Sequence, residues 1–445
     1  MLTLNSFRLP LLGQDRSPLM LGGMGTNIST AELVLALEKL GGIANLSDAM
    51  LMEVSDRLFG TRFTAQKAKR YASERDNHDK SAELFDLSQV REATMRYVSD
   101  VMSRATGKGL VLINCMEKLT MNSGVDALAT RLNAALDAGI QGITLSAGLH
   151  LSSFKLMEQN PRFRDAALGI IVSSSRALNL FLRRSASTNR LPDYVVVEGP
   201  LAGGHLGFGM DWAEQRLENI LRDVKNFLAE KGLNIPVIAA GGIFTGGEAT
   251  KLLDEGLADG IQAATRFAVT QESGLTDMAK QAFFNSKPED IEVNHLSPTG
   301  YPMRMLRQSP AITSDIRPNC EAYGYLLSHG ECSYLKEWRE RHAAMDAGEE
   351  PGEKVKCCLC THMRNYKVWT CGATTSRLNE TSVRTSSGEW ILPTAEDVYS
   401  DYMNSTGTHI ELPKAAKEYL KTAGAAPSQP SFGSVAPAAS AAAGS

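Results

Sequence analysis

A carboxylate and an imidazole lie close together in a glycine-rich stretch of the chain. The β-branched run at residues 195–197 ends at Glu198, and Gly203, Gly204 and His205 follow within seven residues. Glycine has no Cβ and lets the backbone approach a ligand closely, while an unperturbed imidazole titrates near neutral pH. The spacing therefore predicts a strand end followed by a binding loop that contains His205 as a proton-transfer group. The alternative is an ordinary loop histidine whose hydrogen bonds are satisfied.

Two further segments have the features of a phosphate site. Gly241 and Gly242 follow one apolar run, and Ala264 and Thr265 follow the next. In barrels of alternating strands and helices, the loops after strands seven and eight commonly bind phosphate, because unpaired N–H groups at a helix start attract an anion. The alternative for the glycine pair is a tight turn. A single such site, without an early G-x-G-x-x-G motif, favours a mononucleotide over a dinucleotide.

The elements that must position these residues follow from eight short β-rich runs that alternate with helical patterns. The predicted strands cover residues 19–22, 42–46, 110–114, 142–146, 168–173, 194–198, 235–240 and 260–264. Ser123-x-x-Asp126 and Thr245-x-x-Glu248 resemble capping boxes that open two of the helices. Eight strands and helices over about 250 residues favour an α/β fold of the (β/α)8 TIM-barrel type. The strand count alone leaves an open doubly wound sheet as the alternative.

The chain divides into three predicted parts. Residues 1–312 form the barrel, with a charged, helix-prone insertion at about residues 50–108. We expect this insertion to be a helical pair or lid near the barrel mouth, or else a solvated helical excursion. Residues 313–421 form a C-terminal cysteine-rich module. Residues 422–445 contain no charged side chain and are rich in Ala, Pro and Ser, which predicts a disordered tail.

The overall composition excludes several classes of partner. The formal net charge of −4 provides no basic surface for nucleic acid. No apolar run approaches the roughly 18 residues of a membrane-spanning helix. The first sixteen residues lack a small-residue cleavage site, so we expect mature sequence and a cytoplasmic protein.

Cysteines are concentrated in the C-terminal third of the chain. Six of the seven lie between residues 320 and 371, which in a chain without a secretion signal favours metal or cluster ligation over disulfides. Four thiols lie within fifteen residues, at Cys357, Cys358, Cys360 and Cys371. Four thiolates are the usual ligands of a [4Fe–4S] cluster. Zinc and unligated thiols are the alternatives, and Cys320 and Cys332 are alternative ligands. Cys115 is expected to be a small buried apolar residue.

Taken together, these motifs resemble the flavin-dependent family of nitronate monooxygenases and flavin-type enoyl-ACP reductases over about residues 15–310. The resemblance is carried by the glycine-rich segment at 21–25, by Glu-Gly-x-x-Ala-Gly-Gly-His at 198–205, and by the segments at 239–243 and 262–267. It implies FMN as the cofactor and His205 as the base. The residues implied at the flavin ring and ribityl chain are Gly22, Gly23, Met24, Asn114 and Glu198. Those implied on the phosphate side are Gly203, Gly204, Gly241, Gly242, Ala264 and Thr265.

Within this family the chain is most similar to the bacterial acyl-ACP dehydrogenase/isomerases, which pair FMN with a [4Fe–4S] cluster. The segments at 198–208 and 297–304 and the downstream cysteines carry that similarity. It implies 2,3-dehydrogenation and double-bond isomerisation of an acyl thioester, in fatty acid or polyketide biosynthesis, with an acyl carrier protein as partner. A homodimer is left open. Tyr301 and Arg304 are expected to shape the acyl entrance, to meet the carrier, or to face solvent.

Three rival functions remain at this level. A nitronate monooxygenase would use the same base on a nitroalkane and pass electrons to O2. An NAD(P)H-dependent enoyl-ACP reductase would run the hydride step in reverse. A flavin-binding scaffold without activity is the third, supported only by the tail. The long insertion, an extra segment at about residues 315–355 and the tail depart from the family pattern and leave the substrate open.

Overall fold

The computed structural model describes residues 2–117, 124–318 and 331–423. The strands are β1 (Leu9–Leu11), β2 (Gln14–Arg16), β3 (Leu19–Leu21), β4 (Ile43–Ser47), β5 (Leu110–Met116), β6 (Gly142–Ser146), β7 (Ala167–Val172), β8 (Tyr194–Glu198), β9 (Gly204–His205), β10 (Val237–Ala240), β11 (Gly260–Ala263), β12 (Ile291–Asn294) and β13 (Met303–Leu306).

The α-helices alternate with these strands and then continue beyond them. They are α1 (Ala31–Lys39), α2 (Leu51–Phe59), α3 (Phe63–Arg70), α4 (Leu87–Arg104), α5 (Gly124–Asp137), α6 (Ser153–Met157), α7 (Ser175–Ser185), α8 (Leu217–Glu230), α9 (Gly246–Asp254), α10 (Thr265–Ala268), α11 (Asp277–Asn285), α12 (Pro310–Thr313), α13 (Ser333–Asp346), α14 (Leu359–Arg364), α15 (Ala395–Asn404) and α16 (Lys414–Thr422).

Eight parallel strands close into a barrel in chain order. They are β3, β4, β5, β6, β7, β8, β10 and β11, and β11 pairs with β3 to complete the closure. Helices cover the outside and side chains fill the inside, so both faces of each strand are buried and most strand residues are apolar. All eight predicted strands are present, and the (β/α)8 barrel is confirmed over the open sheet.

The two faces of a barrel strand pack into different apolar clusters. In β8, Val195 and Val197 belong to the large cluster shared with the surrounding helices, whereas Tyr194 and Val196 pack in a separate inner cluster with Leu9 of β1. This alternation follows from the two-residue period of a strand. The inner cluster fills the barrel, so ligands must enter from one of its ends.

The predicted insertion contains α2, α3 and α4. Asp86 caps α4 by accepting hydrogen bonds from the N–H groups of Ser88 and Gln89. Tyr97 and Val101 of this helix are buried in the large cluster. The structure therefore places α4 in the ring of helices that covers the barrel, between β4 and β5, and not in a lid or a solvated excursion.

Of the two predicted capping boxes, one is confirmed and one lies outside the described residues. Thr245 accepts a hydrogen bond from Glu248 N (3.1 Å), and the Glu248 carboxylate accepts one from Thr245 N (3.2 Å). Ser123 of the other box precedes the first described residue of α5. The confirmed box begins α9 directly after the Gly241–Gly242 pair.

The chain that follows the barrel packs back onto it. β9 joins β12 and β13 in a small antiparallel sheet, in the order β12–β13–β9. In α15, Val398 and Tyr402 are buried in the same large apolar cluster as the barrel strands. No helix among the described residues is long and apolar enough to cross a membrane.

Candidate active site

The carboxyl ends of three adjacent barrel strands form one row that contains two polar residues, Glu198 and Gln262, on either side of Ala240. Glu198 at the end of β8 is in register with Ala240 of β10, and Ala240 is in register with Gln262 of β11. In barrels of this kind the active site lies at this end, built from the loops that follow the strands. The predicted catalytic loop follows β8 directly.

His205 is held in this loop by pairing with distant parts of the chain. β9 pairs with β13, with His205 opposite Met303, and the His205 Nε2 atom lies 2.7 Å from the Oγ of Ser297. Burial lowers the pKa of His205 to about 4. The imidazole is therefore neutral near pH 7, the protonation state that a general base requires.

Glu198, seven residues before His205 in the chain, is the carboxylate predicted to belong to the same site. Burial raises its pKa to about 7, and the positive charge of Arg304 opposes that rise. Near neutral pH the carboxyl group is thus present in both its protonated and its ionised form. A carboxyl in that state is typical of functional sites, although structural ion pairs also shift pKa values.

Arg304 lies beneath the loop that carries His205. Its Nη1 atom donates hydrogen bonds to the carbonyl oxygen of Pro200 (2.8 Å) and to that of Ala202, and its guanidinium lies 4.5 Å from the ring centroid of Trp212. The side chain is buried, so an exposed role or contact with a carrier protein is wrong for Arg304. Tyr301, in contrast, is 47% exposed.

The glycines predicted near the flavin ring do pack closely. The Cβ that Gly23 lacks would lie 2.2 Å from the Cβ of Asn114, so no other residue fits there without movement. A Cβ on Gly22 would lie 3.5 Å from the Cβ of Ala264, an ordinary contact. Met24 donates its N–H to Ser29 Oγ (2.9 Å). The structure thus brings the segment after β3 against the ends of β5 and β11.

The residues predicted on the phosphate side also come together. Gly241 and Gly242 have φ values of +89° and +95°, a region that L side chains rarely adopt, and a Cβ on Gly241 would lie 2.9 Å from Gly199 O. Ala264 is the N-cap of α10, which Thr265 begins. Gly204 also has a positive φ, and a Cβ on Gly203 would lie 2.6 Å from the backbone of Cys371.

The site fits a bound mononucleotide. The Oε1 atom of Gln262 and the Nη2 atom of Arg304 are buried, and neither has a hydrogen-bond partner among the described residues. Buried polar atoms in proteins are normally paired, so atoms left without a partner indicate a ligand. The Gly241–Gly242 pair before α9 adds backbone N–H groups at a helix start, as a phosphate requires.

The four cysteines predicted as cluster ligands are not brought together. Cys357 and Cys360 share one apolar cluster, Cys358 shares a second with Cys332, and Cys371 belongs to a third. Across residues 2–117, 124–318 and 331–423, no three Cys, His, Asp or Glu side chains form a group that could hold a metal ion. The part of the chain that the structure describes therefore shows neither a [4Fe–4S] site nor a zinc site. Cys320 lies outside the described residues, and Cys115 is buried as expected.

Three residues of the site carried little sequence signal. Ser297 lies 92 positions from the histidine that it contacts. Trp212 stacks on Arg304 from a short helical turn after the catalytic loop. Gly372 lies against Thr265, because the Cβ that it lacks would be 2.7 Å from Thr265 Oγ1. Only Ser297 belonged to a motif, the segment at 297–304, and none of the three was assigned a role.

The closed (β/α)8 barrel, the neutral His205 and the glycine-rich loops at the carboxyl ends of its strands are consistent with the class of flavin-dependent oxidoreductases. The chain belongs to the nitronate monooxygenase family, whose model matches residues 106–350. It is an FMN-dependent oxidoreductase, and the predicted family relationship is confirmed.

Individual proteins agree with this assignment. A probable nitronate monooxygenase of Staphylococcus saprophyticus is 25% identical over 315 residues, which cover 67% of this chain and 78% of that protein. A Mycobacterium tuberculosis protein named (3aS,4S,5R,7aS)-5-hydroxy-7a-methyl-1-oxo-octahydro-1H-indene-4-carboxyl-CoA dehydrogenase is 30% identical over 177 residues, or 39% of this chain and 46% of that protein. The structure of nitroalkane oxidase from Streptomyces ansochromogenes superposes with a TM-score of 0.52 at 17% identity, covering 93% of this chain and 98% of that one, and thus shares the fold.

Proposed function

We propose that this protein oxidises an acyl thioester between its α and β carbons, with His205 as the general base. The observation that carries the proposal is the neutral imidazole held 2.7 Å from Ser297 Oγ in the loop after β8. A thioester acidifies the α-carbon, so a neutral imidazole can remove a proton there. The similarity to a carboxyl-CoA dehydrogenase supports a thioester substrate.

The proposed reaction is balanced as a two-electron oxidation. The α C–H bond breaks with its proton going to His205, the β carbon loses a hydride, and a 2,3-double bond forms. Bound FMN supplies the two-electron acceptor. After the imidazole has released this proton to solvent, it removes a proton from the γ carbon and returns it to the α carbon, so that the double bond moves from the 2- to the 3-position. Ser297 holds the ring in one orientation throughout.

The proposed cofactor site follows the family motifs. Gly22, Gly23, Met24, Asn114 and Glu198 would line the flavin ring and the ribityl chain. Gly203, Gly204, Gly241, Gly242, Ala264 and Thr265 would hold the phosphate side. The close approach of Gly23 to Asn114 and the positive φ values of the Gly241–Gly242 pair support these roles.

An acyl carrier protein in the cytoplasm is the proposed source of the thioester, within fatty acid or polyketide biosynthesis. The [4Fe–4S] cluster on Cys357, Cys358, Cys360 and Cys371 stays a prediction from the sequence, and no step of the reaction is assigned to it. Iron and sulfide analysis of anaerobically purified protein tests it. About four of each per chain would support the cluster, and zinc without iron would contradict it.

Nitronate oxidation is the second candidate, favoured by the family match and by the staphylococcal relative. The same base would act on the acidic carbon of a nitroalkane. Anaerobic mixing of the purified holoprotein with an acyl-ACP, a nitronate and NADH, each alone, separates the candidates through flavin absorbance. We expect bleaching by the acyl-ACP. Bleaching by the nitronate alone would replace the proposal with the second candidate, and bleaching by NADH alone would indicate an enoyl reductase.

The matched variant in this experiment is His205→Gln, which keeps a polar side chain but cannot act as a base. It should bind FMN and resist bleaching by the acyl-ACP. Wild-type protein that binds FMN and is bleached by none of the three reductants would contradict both candidates.

A further inference from the structure

A C-terminal segment, residues 371–407, covers the loops assigned to the phosphate of FMN. Ala373 donates its N–H to Leu201 O (3.0 Å), in the loop after β8. The Leu201 side chain in turn lies against Gly242, whose missing Cβ would be 2.9 Å from it. Gly372 contacts Thr265 as described above. This segment lies beyond residues 106–350, which the family model matches.

The same C-terminal segment also contacts the start of α9, through helix α15 and the residues that follow it. The Tyr402 hydroxyl donates to Ile243 O (3.1 Å), one residue after the glycine pair. A Cβ on Gly247 would lie 1.8 Å from Gly407 O, so the backbone after α15 lies directly on the first turn of α9. Tyr402 is buried, and its ring stacks on Phe267 with a centroid distance of 6.1 Å.

Two ion pairs complete these contacts. Asp401 Oδ2 lies 2.6 Å from Arg266 Nη1, and both side chains are buried. Arg377 Nη1 lies 2.8 Å from Glu248 Oε1, while the second oxygen of Glu248 accepts the N–H of Phe244 (2.6 Å). Each positive charge is matched by a carboxylate. The two ion pairs therefore fasten the segment to Arg266 of α10 and to Glu248 of α9, beside the loops assigned to the phosphate.

We infer that residues 371–407 form a brace that positions the phosphate end of the cofactor site, with Tyr402 and Arg377 as positioning residues. The inference rests on the assignment of the FMN phosphate to Gly241, Gly242 and Thr265. A brace of this kind acts on the phosphate and not on the flavin ring. FMN and riboflavin differ by that phosphate. A comparison of their affinities therefore distinguishes an effect of the brace on the phosphate site from a general effect on the stability of the protein.

The test is titration of the full-length apoprotein with FMN and, separately, with riboflavin, followed by flavin fluorescence. Tyr402→Phe removes one hydrogen bond and should weaken FMN about threefold to tenfold, with riboflavin unchanged. Arg377→Gln, at a more exposed position, should weaken FMN binding about threefold. The control is Tyr399→Phe on the same helix, which loses the hydrogen bond to Ser17 Oγ (2.9 Å) before β3 and should leave the ratio of the two affinities unchanged.

Equal weakening of FMN and riboflavin by Tyr402→Phe, or a selective loss of FMN in Tyr399→Phe, would overturn the brace. Wild-type apoprotein that binds riboflavin as tightly as FMN would overturn the phosphate assignment and the brace with it. Turnover is not used, so a protein that binds FMN but oxidises no thioester would contradict the proposed function alone.

Discussion

The Nε2 atom of His205 and the Oγ atom of Ser297 lie 2.7 Å apart, although 92 residues separate them in the chain. The pairing of β9 with β13 brings them together, because His205 lies opposite Met303 in that sheet. The loop after β8 is thus fastened to the segment that follows the barrel. A base held in one orientation contributes more than one that samples many.

Replacement of His205 by Gln should lower kcat for the preferred substrate by about 10² to 10⁴, the usual contribution of a positioned general base. FMN should remain bound, because the loop is also held by Arg304. Ser297→Ala is the matched control and should cost far less, since it removes only the orientation of the ring. Near-normal turnover in His205→Gln would remove the histidine from the mechanism.

The pH dependence of turnover should reflect the burial of His205. Its pKa is lowered to about 4, so the neutral, base-competent form persists well below the ordinary value of 6.5. We expect kcat/KM to fall only as the pH drops through about 4. The measurement is the rate of anaerobic flavin reduction across that range. An acid limb near pH 6.5 would show that the imidazole is solvated in the working enzyme.

Glu198 should make the apoprotein less stable as the pH rises. Its pKa is raised to about 7 from the ordinary value of 4.5. The folded state therefore binds its proton more tightly than the unfolded state does. This contribution to stability is complete below pH 4.5 and is lost as the pH rises through about 7. Thermal unfolding of Glu198→Gln should show a flatter dependence over that window, and identical curves would contradict the assignment.

The parts of the fold that depend on local pattern were predictable, and those that depend on distant contacts were not. The eight strands follow from short apolar runs and the residues that end them, as in β8, where Val195 to Val197 precede Glu198. The burial of Arg304 had no such signal, because a charged residue is usually exposed and its partners, the Pro200 and Ala202 carbonyls and the Trp212 ring, lie about a hundred positions away in the chain.

The cysteines are close together in the sequence, but the structure does not bring them together. Short spacing between Cys357 and Cys371 suggested one site, yet the intervening α14 and the strand contacts of Cys371 lead the thiols into different clusters. Spacing along the chain constrains distance only where the backbone between two residues is compact. The sequence predicts a helix-like stretch from Thr394 that fastens the C-terminal part to the barrel, but not which loops it contacts, since those contacts are with residues more than 100 positions away.

Substitution of Gly241 by Ala separates a role in binding from a cost in backbone strain. Gly241 has a φ of +89°, and its added Cβ would lie 2.9 Å from Gly199 O and 3.1 Å from Ala202 N, within the proposed phosphate site. Gly256, at the end of α9, has a φ of +68° with nothing within 4 Å of an added Cβ. Both substitutions place alanine in the left-handed region, which should lower the free energy of unfolding of the apoprotein by about 1 kcal/mol, and the close contacts of the added Cβ should increase this cost in Gly241→Ala. Only Gly241→Ala should also weaken FMN, because the loop must move away from Gly199 to admit the methyl group.

Fluorescence titration with FMN, beside thermal unfolding of both variants, checks this. Equal FMN affinity in the two variants would mean that the Gly241–Gly242 pair is a turn and not a phosphate site.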